Sequence, residues 1–210
     1  KERKSMSAYF EGADDFVFID FETTGRDLLG RFYFDNAVPK HDATQVAIAW
    51  FDNARLTSAH SYIRPNQDFF KLKDWSFASP PREKCVDAPK FDELYPILSG
   101  IIQNKKIVAH NAPFDKRVMD DSLVASNLLP TTNEWIDSLD LARKYLPNSG
   151  ACYQSCDSNC SGYTLKHLHN YFGFGDFNHH NAIADTYALV RVFSVIYKPQ
   201  TDYSKDWVFV

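Results

Sequence analysis

Asp20 and Glu22 stand two residues apart, directly after the apolar run Phe16-Val17-Phe18-Ile19. Side chains at that spacing leave the same face of an extended strand, so the pair concentrates negative charge at a strand end. Such charge is costly unless compensated, and a hydrated divalent cation such as Mg2+ or Mn2+ suits hard carboxylate oxygens. Taken alone, the pair also fits two solvated carboxylates. Asp115 shares a helix face with Val118, Met119 and Ser122. It falls on the first turn, where stabilisation by the helix dipole is a competing explanation. Asp185 is more telling, because it lies in one stripe with Ala182, Leu189, Val192 and Ile196, and an acid in line with an apolar face needs a specific partner. His180 precedes it by five residues. A lone His near a helix start is more often a surface residue, but beside an activated water it has the right intrinsic pKa for a general base. Four acids and a His of this kind point to a divalent-cation site with a base for an activated water.

The elements that must position these groups can be read from periodicity. Phe16 to Phe21 is a short apolar run between Asp14-Asp15 and Thr23-Thr24-Gly25, which predicts a buried central strand. Gln45 to Phe51 and Ser58 to Ile63 predict two more strands, joined at Asp52-Asn53 into an antiparallel meander. Phe91, Leu94, Tyr95, Leu98, Ile101 and Ile102 predict an amphipathic helix behind Asp87 as cap, with Pro96 expected to kink or shorten it. Ile107 to Ala109 is a further strand, and Asn111 with Pro113 opens a helix running to about Ser126. Trp135-Ile136 leads as a strand into a helix over Leu139 to Leu146, and Thr164 to Phe172 and Asn181 to Lys198 are the last two helices. Hairpin-linked strands followed by strands alternating with helices imply an α/β architecture, a mixed sheet flanked by helices.

The chain has 210 residues, is 44% hydrophobic and carries 17 Phe, 11 Tyr and 4 Trp, which suffices for one domain, residues 1–210, with its core over about 15–198. A net charge of −4 argues against a general polyanion binder, although catalytic acids neutralised by cations are compatible with it. No run is long and apolar enough to span a membrane, the start Lys1-Glu2-Arg3-Lys4 has no signal-peptide core, and four Cys do not make a disulfide scaffold. The expectation is a soluble protein of a reducing compartment, the cytoplasm.

Three segments then resemble a known family. Asp20-Phe21-Glu22-Thr23-Thr24-Gly25, Ala109-His110-Asn111-Ala112-Pro113-Phe114-Asp115 and His180-Asn181-Ala182-Ile183-Ala184-Asp185 resemble, in order and spacing, the three motifs of the DEDDh 3′–5′ exonuclease superfamily. That superfamily includes the proofreading epsilon subunit of bacterial DNA polymerase III. The resemblance implies a ribonuclease-H-like fold with a five-stranded sheet, three antiparallel strands followed by parallel ones. It also implies two Mg2+ or Mn2+ ions about 3.5–4 Å apart at the terminal phosphodiester. Carried over, Asp20 bridges both ions, Glu22 and Asp185 complete the site of the ion nearer the nucleophilic water, and Asp115 helps position the site. His180 orients and deprotonates the water, and the product is a nucleoside 5′-monophosphate. Thr23, Thr24, Gly25, His110, Asn111 and Phe114 fall where the family meets the 3′-terminal nucleotide. Core or capping roles remain open for each, capping especially for Asn111. Lys71, Lys73, Lys105, Lys106, Lys116, Arg117, Arg143 and Lys144 are candidate phosphate contacts, and equally ordinary solvated charges.

The chain departs from the family pattern at two insertions, 26–43 and 147–163. The first, which contains Phe32-Tyr33-Phe34, leaves the strand beside the acids and fits either a substrate clamp, a partner surface or an inert hairpin. The second holds Cys152, Cys156 and Cys160, which with His167 have a spacing compatible with structural zinc, although His167 and His169 equally fit the polar face of the helix of Leu165, Leu168 and Phe172. The leading expectation is a DNA exonuclease of proofreading or repair type acting on single-stranded 3′ ends, with a polymerase or another replication or repair protein as partner. An RNA-trimming exonuclease of the same superfamily is the alternative, and a non-catalytic nucleic-acid-binding module is a third reading. Retention of every acid and of His180 argues against the last.

Overall fold

The computed structural model describes residues 12–24, 42–53, 55–65, 80–146 and 162–197. Five strands, β1 (Phe16–Thr23), β2 (Ala43–Asp52), β3 (Arg55–Tyr62), β4 (Lys106–Ala109) and β5 (Trp135–Asp137), form one sheet in the order β3-β2-β1-β4-β5. The first three pair antiparallel, whereas β1–β4 and β4–β5 are parallel. β1 and β2 lie inside the sheet and are apolar on both faces, while the edge strand β3 carries Arg55, Thr57, Ser58, His60 and Ser61. Polar side chains on an edge discourage pairing with another chain.

Alternation along β1 feeds two cores. Phe16 and Phe18 join Ala49 and Phe51 against helices α4 (Ser138–Tyr145), α5 (Leu165–Tyr171) and α6 (Ala182–Ile196), where Phe18 meets Phe193 edge-on at 5.4 Å between ring centroids. Val17, Ile19 and Phe21 join Val46 and Ile48 against α2 (Phe91–Ile102) and α3 (Ala112–Ala125) on the other face. Truncating Phe18 or Phe193, both almost wholly buried, would cost about 3–5 kcal/mol. The ribonuclease-H-like mixed sheet expected from the sequence is therefore present, with helices on both faces.

One local expectation is corrected and another is narrowed. Asp87 does not cap α2; it ends a short helix, α1 (Arg82–Val86), that the periodicity did not predict. The α2 N-cap is Lys90, whose backbone N–H donates to Glu93 Oε2 at 2.7 Å. Pro96 does not shorten α2, which runs on to Ile102. Both Pro96 and Asp92, whose carbonyl loses its N–H partner, are exposed, so water can satisfy that carbonyl and the cost stays local.

Candidate active site

β1 pairs with β2 along its length but with β4 only from Phe16 to Phe18. Beyond that point its β4 side is open, at the carboxyl end of two parallel strands, where open α/β sheets leave a crevice. There the Phe21 N–H donates to Asp115 Oδ1 at 3.0 Å, which fastens the first turn of α3 to β1. A register shift between Glu22 and Thr23 ends the regular β1–β2 ladder beside the acids, an irregularity that re-aims side chains at a strand end.

The turn into α3 has its own support. Asn111 occupies the N-cap position in a left-handed conformation (φ 66°), which Asn tolerates better than most residues. Its side chain makes no capping bond, so the capping alternative is not realised. Its backbone N–H donates instead to Asp137 Oδ1 at 2.9 Å, and the same oxygen accepts from Leu139 N as the cap of α4. Asp137 thus ties the starts of two helices together.

On the opposite face, α6 is stitched to the meander. The buried Gln45, in register with Glu22, accepts from Ala182 N through Oε1 at 3.4 Å. Thr186 donates to the Ala47 carbonyl at 3.5 Å, and the Tyr187 hydroxyl pairs with Ser58 Oγ at 2.7 Å. The Asn181 side chain caps α6 by accepting from Ala184 N. These contacts present Asp185 to the end of β1.

The result is a cluster in which carboxylate oxygens of Asp20, Glu22 and Asp185 lie within 4.8 Å of one another. Burial, then the charges of Asp115, Asp185 and Glu22, push the Asp20 carboxyl well above the usual carboxylate range. Burial and the charges of Asp185 and Asp115 push Glu22 up to about 8. Asp115 also rises to about 8, because burial outweighs the bond from Phe21 N. Among the described residues, no hydrogen bond relieves Asp20 or Glu22. A set of hard oxygen donors forced towards protonation by mutual repulsion is what divalent cations relieve, so the residues fit Mg2+ or Mn2+.

His180 sits just before the α6 cap in a left-handed conformation (φ 64°). Desolvation and the adjacent His179 hold its ring below the ordinary histidine value, with Asp185 pulling the other way. That direction favours the neutral ring over the charged one. His179 had no part in the sequence reading, yet its Nδ1 meets Asp185 Oδ1 at 2.5 Å and its ring stacks on His180 at 4.0 Å. Gln45 and Asp137 were missed too. Only His179 had a local signal, as half of a His-His pair next to the third motif.

The remaining sequence candidates divide. Thr23 and Thr24 are buried, and Thr24 forms a two-way clasp with Asp42: Thr24 N donates to the Asp42 carbonyl at 2.9 Å and Asp42 N to Thr24 Oγ1 at 3.3 Å. Asn111 is exposed and Phe114 half-buried beside the α3 start. His110 is pinned at both nitrogens, at 2.9 Å from Ser138 Oγ and 2.9 Å from the Tyr163 carbonyl, and burial lowers its pKa to about 4. Gly25, Lys71, Lys73, Cys152, Cys156 and Cys160 lie outside the described residues. So do most of both insertions, residues 25–41 and 147–161. His167 pairs through Nδ1 with Thr164 Oγ1, while His169, expected on the polar face of its helix, is buried and bonded to the Gly175 carbonyl. The other cations all have partners within the chain. Lys105 reaches the Asp14 carbonyl, Lys106 pairs with Glu134, Lys116 with Asp120, Arg117 with Asp121 and Arg143 with Asp140, and Lys144 lies over Tyr145.

Against this geometry, the exonuclease family described as RNase_T matches residues 17–193. The chain belongs to this exonuclease family. The match spans all three acidic segments and bears out the DEDDh resemblance. Among the relatives are a PolC-type DNA polymerase III of Thermotoga petrophila, 27% identical over 90% of this chain, and the DNA polymerase III subunit epsilon of Buchnera aphidicola subsp. Baizongia pistaciae, 26% identical over 85%. The exonuclease chain spans 12% of the first and 69% of the second. Among solved structures, E. coli Exonuclease I in complex with a dT13 oligonucleotide shares the fold with a TM-score of 0.63 at 20% identity, over 86% of this chain and 40% of its own. The cell-death related nuclease CRN-4 gives 0.66 at 16% identity, over 87% and 63%. Among the described residues, no helix is long and apolar enough to cross a membrane.

Proposed function

We propose that this exonuclease domain removes nucleotides one at a time from the 3′ end of single-stranded DNA, releasing nucleoside 5′-monophosphates with Mg2+ or Mn2+ as cofactor. The observation that carries this reading is the convergence of Asp20, Glu22 and Asp185 within 4.8 Å, with Asp115 anchored to β1 and His180 near enough to feel the charge of Asp185. Asp20, Glu22 and Asp185 would hold the ions directly, and Asp115 would support them. When bound, two such ions would polarise the scissile phosphate and stabilise charge on the leaving 3′ oxygen. The chain itself supplies the rest. His180 accepts the proton of the attacking water on a ring nitrogen, a role that the lowering of its pKa by desolvation and by His179 favours. Thr23, Thr24, Gly25, Asn111 and Phe114 bind the terminal nucleotide, with Phe114 as a stacking surface. His110, bonded at both nitrogens, shapes the corner beneath them.

DNA is favoured because the relatives named above are DNA polymerase III chains and the Exonuclease I structure holds dT13. The same relatives support a replication or repair setting with a polymerase partner. Discrimination against a 2′-hydroxyl is a matter of pocket shape, so the test uses 5′-labelled DNA and RNA strands of one sequence, with Mg2+, Mn2+ or EDTA. The expected outcome is a metal-dependent ladder shortening from the 3′ end, faster on DNA. Faster RNA shortening would move the assignment to RNA trimming, and intact strands with both metals would remove the enzyme reading.

A further inference from the structure

The contact between His179 and Asp185 is not accounted for by the five residues assigned above. Asp185 is buried, and its two oxygens are held differently: Oδ2 accepts from Asn181 N at 3.0 Å, and Oδ1 meets His179 Nδ1. A carboxylate only accepts, so Nδ1 carries the hydrogen and His179 is the donor. The ring of His179 is gripped on its other sides. It stacks on His180 at 4.0 Å with planes 28° apart, and meets Phe177 at 5.8 Å and 71°. Phe177 in turn abuts the buried His169 at 4.9 Å, and His169 Nδ1 donates to the Gly175 carbonyl at 2.7 Å. A row of rings therefore runs from a buried anchor to the proposed base. Its third member bonds to a proposed metal ligand.

We propose that His179 is a positioning residue: its Nδ1–H fixes the Asp185 carboxylate for cation binding, while its ring supports that of His180. The proposal rests on the metal-site reading above and assigns His179 no contact with substrate. A hydrogen bond to a ligating carboxylate fixes its orientation, and loss of such a bond typically costs about 10–100-fold in metal affinity. The two halves of the role can be separated. His179→Phe keeps a flat ring for His180 and Phe177 but has no donor. His179→Asn keeps an N–H close to the position of Nδ1 but has no ring.

The test is Mn2+ binding to the whole chain without nucleic acid, read by calorimetry and by electron paramagnetic resonance of free Mn2+, with melting curves in EDTA to confirm folding. His179→Phe is expected to weaken Mn2+ binding by about 10-fold or more, and His179→Asn to stay within about threefold of the parent. At saturating Mn2+, His179→Phe should recover kcat and His179→Asn should not. If the Phe variant fails to fold, His179→Ala, which also lacks the donor, carries the same expectation for Mn2+. Mn2+ affinity equal to the parent's in a folded donor-less variant overturns the proposal. Asp20→Ala is run alongside. If it loses Mn2+ while His179→Phe does not, only the role of His179 falls; if it binds Mn2+ like the parent, the metal-site reading falls as well.

Discussion

The carboxyl ends of β1 and β4 lie side by side and both are polar, yet they are built in opposite ways. At the end of β4 every polar group named has a partner within the chain. His110 is bonded at both nitrogens, and Asp137 accepts two backbone N–H groups. At the end of β1, Asp20 and Glu22 face one another and the charges of Asp115 and Asp185, and among the described residues no hydrogen-bond donor to Asp20 or Glu22 offsets this. A self-satisfied network holds a fold together, whereas a set of like charges left without donors is prepared for something from outside. The same chemistry of side chains thus separates a structural corner from a reactive one.

The comparison can be broken most directly at β1. Asp20→Ala or Asp185→Ala should reduce 3′-end cleavage to background in a labelled-strand assay, and retained cleavage would show that the cluster is not the reactive end. His180→Ala should lower kcat by about 10²–10⁴-fold with little change in KM; a change confined to KM would make it a binding residue. Its effect belongs to chemistry rather than to folding, since its ring is exposed. His110→Ala should do the reverse. It removes the bonds to Ser138 Oγ and to the Tyr163 carbonyl, at a cost of about 1–3 kcal/mol in denaturant unfolding, while kcat per folded molecule changes only a few-fold. A large kcat loss at unchanged stability would place His110 in the reactive end after all.

The smallest effect is in pH. In the folded chain Glu22 and Asp115 titrate at about 8, against ordinary values of 4.5 and 3.8. The folded state then keeps protons that the unfolded state releases, so stability in EDTA falls as pH rises from about 4.5 to 8 and levels off above. His110 works in the other direction, since a folded value of about 4 against 6.5 means that stability is lost as pH drops below 6.5. Between pH 6.5 and 8 the acid end dominates, and the melting temperature should decline by several degrees. Mn2+ or Glu22→Gln should flatten that slope. A flat curve in EDTA without either would mean that the acids are relieved by other means.

Much of this was legible in the sequence because it is local. The apolar run from Phe16, the alternation through β2 and β3 and the stripe of Asp185 with Leu189 and Val192 each state their own burial. The acids could be grouped because three motifs stood in a recognised order. What escaped was long-range or geometric. Gln45 reaches Ala182 across 137 positions, and Asp137 reaches Asn111 across 26, and no periodicity encodes either contact. Asp87 was misjudged because a good capping residue also suits the end of a preceding helix. Helical spacing offered a polar face as one alternative for His169, but its ring finds the Gly175 carbonyl and two aromatic neighbours in the interior.

The Thr24–Asp42 clasp has a thermodynamic consequence. Two reciprocal bonds bring the chain out of β1 and back into β2 at a fixed point, so strand register is set on either side of that gate. The entropy of closing a loop rises only slowly with its length. The two strands are thus tied at Thr24 and Asp42 themselves, so their register does not depend on the number of residues that separates these two positions.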